Sequence, residues 1–380
     1  MKRFPLLTDT RQSTEYSCGA AALQAVLHYW GRDLEEEELM HLLHTSPETG
    51  TYVGDIVRVA RGLGMRAEVK ENLSLTDLHE SLKKGIPVIT CGQAWRSRED
   101  SDKSVQEDWE DGHYIVVIGM DTRYIYYQDP FIKRGKVFVT HQMFEDHWHN
   151  VRGKTSGDTK KQFHLGVFIS GDSRPRHHPL SSVDITEELL AKIGPLELMV
   201  IRFPGIVLPY DLLEHAKGAL NHEFIRPVSY FLLNKDPQGN IGVLEGGELD
   251  EQEAVEFDAM IGYLIGLGAG GTAAAREYAG IAGQRAAGNT FGISEKDLRT
   301  ITEDLPPSSS TFIVVLEHMW VRRVREALTP LGGYIASQGM ITPELLEGWG
   351  ARLREEQADP GKRTVELIKQ DLLNETTKKD

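Results

Sequence analysis

The sequence predicts an α+β protein of two domains, and three observations carry the prediction. In the first 170 residues apolar positions at helical spacing come first and strand-like runs later. From about residue 195 a β-α-β order recurs, and a polar stretch around Arg174, Arg176, His177 and His178 separates the halves. A length of 380 residues exceeds one typical domain and supplies two cores. The expected boundaries are 1–170, a linker at 171–194, a second domain at 195–340, and helices with a polar tail at 341–380.

The first helix follows Gln12-Ser-Thr-Glu-Tyr-Ser-Cys18-Gly19, with Ala20, Leu23, Leu27 and Trp30 on one face and Gly31 as a left-handed stop. Cys18 thus stands in the first turn, where unpaired backbone N–H groups and the helix dipole favour an anion. Gln12 carries an amide that can reach back over the helix start and, with the Cys18 N–H, bind an oxyanion. A small buried cysteine is the plainer reading of Cys18 taken alone.

Next, Asp33 is expected to cap a helix with Glu36 in a capping box, and another helix follows Thr51-Tyr-Val-Gly54. Residues 65–69 read as a strand, 75–82 as a helix, and Gly85-Ile-Pro-Val-Ile-Thr-Cys-Gly92 as a buried strand. The loop 96–111 holds three basic and seven acidic residues, either a solvated surface or an acidic lid. Two apolar runs, 112–119 and 123–130, form a hairpin; a three-residue loop at 120–122 sets His113 opposite Asp129 on one face. A carboxylate beside an imidazole fixes its tautomer and favours its charged form, although a histidine at a strand start is often structural. His141, His147, His149, His164, His177 and His178 match no compact zinc spacing, so neither metal nor cofactor is expected.

In the second half, strands are expected at 196–203, 226–235, 309–317 and from Gly333, with helices at 210–220 and 321–328, an arrangement of ferredoxin-like type. Inserted in it, Gly262, Gly266 and Gly270 lie four apart in a Gly/Ala-rich stretch. Such spacing favours a tight helical hairpin or an oligomer contact over membrane insertion.

The formal net charge of −15 argues against nucleic-acid binding. Two cysteines give no disulfide framework, and the broken apolar run at Pro5 is too short for a signal peptide, so a cytoplasmic location is expected.

Gln12, Cys18-Gly19, His113 before an apolar strand, and Asp129-Pro130 occur together in this order. The set resembles the papain-like cysteine peptidases, most closely the bacteriocin-processing double-glycine leader peptidases, over residues 5–170. That resemblance implies a papain-like fold, with Cys18 as nucleophile, His113 as general base and acid, Asp129 as orienting residue and Gln12 as oxyanion donor. It implies a peptide or protein substrate, cut after small residues or Gly-Gly. Those peptidases are usually fused to a transporter, whereas this chain has no Gly-x-x-x-x-Gly-Lys-Ser/Thr loop. Residues 193–340 are similar to an uncharacterised bacterial family with a glycine-zipper hairpin, which suggests a binding or assembly module, through a homo-oligomer or a protein scaffold. A silent peptide-binding module, or an acyl transferase or deamidase using the same groups, are the alternatives.

Overall fold

The computed structural model describes residues 7–94, 105–109, 111–133, 135–152, 160–172, 194–207, 209, 211–212, 215–216, 224–287 and 305–331. Three helices open the chain: α1 (Cys18–Tyr29), α2 (Glu36–Leu42) and α3 (Val53–Gly62). Then come β1 (Arg66–Lys70), α4 (Leu75–Lys83), β2 (Val88–Gln93), β3 (Gly112–Met120), β4 (Tyr124–Gln128) and β5 (Lys136–Thr140). After them lie α5 (His141–His147), β6 (His149–Arg152), β7 (Lys160–Phe163) and β8 (Gly166–Ser170). The second half supplies β9 (Leu196–Phe203), β10 (Ile225–Lys235), β11 (Ile241–Gly246), α6 (Glu251–Ala287), β12 (Ser309–His318) and α7 (Met319–Leu328).

Two compact units result, Met1–Trp320 and Val321–Asp380. In the second, the described residues are 321–331, which finish α7 and add a 3-10 turn, Thr329–Leu331. In the first, ten strands form one sheet in the order β1-β8-β2-β3-β4-β5-β11-β10-β12-β9, and β6 pairs with β7 alone. The halves expected as separate domains therefore share a sheet, joined where β11 pairs antiparallel with β5. Strand β11 went unforeseen because Gly242 and Gly246 dilute its apolar run. Three of the four strands expected in the second half lie in the order β10-β12-β9. The fourth, from Gly333, and most of the expected linker lie outside the described residues. The Gly/Ala-rich stretch belongs to one uninterrupted helix, α6, of 37 residues, rather than turning within 259–275. Among the described residues no helix is long and apolar enough to cross a membrane.

Alternation along β3 feeds two cores. Tyr114, Val116 and Ile118 face α1, with Leu23, Leu27, Ile89 and Val167. Val117 and the partly buried Ile115 face the other side, with Leu78, Phe144 and Trp148. Helix α1 is buried nearly all round, because Ala20, Ala21, Ala22 and Ala25 fill the sides its large residues do not. Leu23 and Leu27, with no exposure, contribute roughly 1.5–3 kcal/mol each by burial. Gly31, at φ +79°, turns the chain out of α1 as expected.

Two local expectations are corrected. Asp33 does not cap α2: the helix starts after Glu35, and the Glu36 carboxylate instead accepts from the Ser13 backbone N–H at 3.1 and 3.0 Å. An unpaired N–H in the segment before Cys18 competes successfully for that carboxylate. The β3–β4 hairpin also turns later than expected, with Met120 rather than Gly119 closing the ladder, opposite Ile125. A bulge between Val117 and Gly119 then shifts the register, and Val116 pairs with Gln128. His113 is therefore not directly opposite Asp129, which lies just beyond the end of β4.

Candidate active site

Cys18 stands at the first position of α1 and is 8% exposed. Ser17 precedes it without capping through its side chain; its hydroxyl donates to the Thr14 carbonyl at 3.2 Å. Gly19 lets this helix start press against the loop before α3, since a Cβ there would stand 2.6 Å from the Thr51 Cβ. Thr51 is held from two sides, by Thr45 Oγ1 at 2.8 Å and by the Tyr114 hydroxyl donating to its carbonyl at 3.1 Å. The nucleophile candidate thus has a rigid, narrow setting.

His113 sits at the start of β3 and Asp129 in the turn after β4, and antiparallel pairing brings these strand ends together. The His113 Nε2–H donates to Asp129 Oδ1 at 2.8 Å, with the carboxylate 1% exposed. The same oxygen accepts from the Phe131 N–H at 2.9 Å, and the Asp129 N–H donates to the Gly135 carbonyl at 3.0 Å. Gly135 is required there, because a Cβ would lie 2.7 Å from both the Asp129 and Ile132 carbonyls. Local turn chemistry aims the carboxylate where strand register does not.

With Nε2 committed to Asp129, Nδ1 is the ring nitrogen left for Cys18. Burial pushes the thiol up, but the His113 hydrogen bond and charge, with a bond from the Tyr114 backbone, bring it below 9.0 overall. Burial likewise opposes a charged imidazole; Asp129 and then Cys18 outweigh it and raise His113 from 6.5 to about 10. Both shifts run toward a thiolate beside an imidazolium, and the thiolate is the nucleophilic form of cysteine.

Gln12 lies against the same turn, its backbone N–H donating to the Pro130 carbonyl at 2.8 Å. Its side-chain Nε2 donates to the Thr14 carbonyl at 2.8 Å, and Oε1 is buried without a hydrogen-bond partner. One N–H of that amide remains for another acceptor.

The other histidines have different tasks. His141, His147, His149 and His164 donate to the backbone carbonyls of Asp121, Gln93, Asp108 and Leu73 at 2.9, 3.1, 2.8 and 2.9 Å. His177 and His178 lie outside the described residues, as do 96–104 and 110 of the acidic loop. Its far end is anchored: Trp109 packs on His149, centroids 4.5 Å apart, with the Lys161 ammonium 4.2 Å above its ring. Sequence reasoning gives Glu36 and Thr51 only local helix tasks and assigns none to Gly135 at the site; glycine after a short polar turn is the visible signal for the last.

The Peptidase C39 family profile matches residues 8–152. An uncharacterized protein of Methanothermobacter thermautotrophicus is 31% identical over 133 residues, 35% of this chain and 77% of that protein. Among solved structures, the peptidase domain of Streptococcus ComA, a bi-functional ABC transporter, is similar at 18% identity over 44% of this chain and 99% of that one, with a TM-score of 0.32. A double glycine motif protease from an AMS/PCAT transporter, in complex with the leader peptide, is similar at 19% identity over 44% and 94%, with a TM-score of 0.29.

Proposed function

The chain belongs to the peptidase C39 family and is a cysteine peptidase, a hydrolase, and from that premise we propose that it cuts a peptide segment with Cys18, His113, Asp129 and Gln12 as its catalytic set. The observation that carries the assignment is the 2.8 Å bond from His113 to the buried Asp129 at the open end of α1. In the first half-reaction the Cys18 thiolate attacks the carbonyl carbon and a C–S bond forms. Negative charge moves to the carbonyl oxygen, where the Cys18 N–H and the free N–H of Gln12 receive it. Collapse breaks the C–N bond as His113 gives its proton to the departing amine. Water then attacks the thioester, His113 takes its proton, and the C–S bond breaks to release the acid.

The proposed cut falls after small residues, Gly-Gly included. Incubating the full chain with a mixture of peptides, some carrying Gly-Gly, and reading new termini by mass spectrometry tests the assignment. Cuts that vanish in Cys18→Ala support it, and cuts that persist there overturn it. Adding an amine acceptor to the same mixture reads hydrolysis against acyl transfer, which share the first half-reaction.

Gln12→Ala is expected to lower kcat by roughly 10²–10³-fold with little change in KM, since an oxyanion donor acts in the transition state. Steady-state kinetics on one cleaved peptide check this. We read residues 195–340 as a binding or assembly module; both cysteines of the chain, Cys18 and Cys91, lie in the first half.

A further inference from the structure

On the side of the sheet away from α1, a cavity opens next to the imidazole. His113 and Asp129 form part of its wall, and Ile115, Val139, Met143 and Phe144 contribute apolar surface. Helix α5 and the sheet enclose it closely: the His147 carbonyl would lie 2.6 Å from a Cβ at Gly92, the residue paired with His113. Cys18 is not part of the wall. No step of the mechanism uses this space.

We propose that the cavity is the leaving-side subsite, receiving an apolar side chain from the residue that follows the cut bond. The inference rests on the peptidase reading and adds a specificity to it. When the C–N bond breaks, the acyl half stays on Cys18 and the amine half departs from His113, which has just protonated it. A cavity sharing His113 but not Cys18 therefore borders the departing half. Its apolar walls suit Leu, Met or Phe. An acidic side chain would lose hydration there and face the Asp129 carboxylate, which opposes it. Glycine at that position leaves the space unused. Preferences of an apolar pocket between such side chains run to roughly 10- to 100-fold.

The test compares peptides that differ only at the residue after the cut, with the full chain and two variants. The native chain is expected to favour Leu over Gly and Asp by at least about tenfold in kcat/KM. Met143→Trp, which fills the cavity, collapses the Leu-to-Gly ratio. Ile115→Ala, which enlarges it, moves the preference toward Phe, and circular dichroism controls for folding in both. A leaving-side profile that is flat, or that neither variant alters, overturns the proposal. Binding of leucinamide against glycinamide to Cys18→Ala, read by saturation-transfer NMR, separates the two levels of inference. If no peptide is cut yet leucinamide binds and Met143→Trp abolishes it, the peptidase assignment falls and the pocket stands. If leucinamide shows no preference over glycinamide, the pocket falls whatever the cleavage assay reads.

Discussion

Cys18→Ala is expected to abolish peptide cleavage, with a loss on the order of 10⁴-fold or more in kcat. The size follows from the chemistry, because in the proposed reaction the bond to carbon comes from Cys18, and Cys91, the second cysteine, is 2% exposed and accepts a hydrogen bond from Asn150 at 2.9 Å. The fold tolerates the change. Alanine is the best helix former and only a sulfur atom is lost from the first turn of α1. Thermal unfolding of both proteins, run beside the cleavage assay, separates loss of the nucleophile from loss of structure. A variant that is folded and still cleaves contradicts the assignment.

Asp129→Ala is expected to produce the second large effect, a fall of roughly 10²–10⁴-fold in kcat/KM together with a displaced pH profile. The native profile is expected to rise as Cys18 ionises below its ordinary value and to fall as His113 loses its proton near pH 10. Asp129 is the main cause of the raised His113 value, so without it the ring deprotonates sooner and the alkaline limb moves to lower pH. Asp129→Asn keeps an acceptor for the Phe131 N–H and removes the charge, so the same direction of shift in this variant assigns it to electrostatics rather than to the broken turn. Linkage gives a companion effect on stability. The folded-state value of His113 lies above its ordinary 6.5, so the stabilisation is fully present below pH 6.5 and is lost as pH rises through about 10. Denaturant titrations of native chain and Asp129→Asn should therefore differ most in the acidic range and converge toward pH 10.

Much of this site is legible in the residue order. Cys18 before a run of Ala and Leu, closed by Gly31, announces a helix whose first turn carries a thiol, and the structure holds it there. His113 and Asp129 flank two apolar runs joined by a short turn, which suffices to bring them to one end of a hairpin. The register was out of reach, because a bulge at 117–119 leaves no mark in the apolar pattern and the turn falls later than 120–122. The pair forms regardless, since Phe131 and Gly135 orient the carboxylate from within its own turn. Glu36 shows the complementary difficulty: a capping-box pattern predicts a local bond, and a backbone N–H 23 positions earlier takes the carboxylate instead. Likewise β11, whose glycines hide it, pairs with β5 across more than 100 residues, a partnership no local pattern encodes.

The most direct test of the central claim, that Cys18 is a thiolate held by His113, is the pH dependence of its alkylation by iodoacetamide in a Cys91→Ser background. The predicted result is rapid labelling well below pH 9.0 in the otherwise native chain, collapsing to the slow profile of an ordinary thiol in His113→Ala. An ordinary thiol profile that is the same with and without His113 would contradict it.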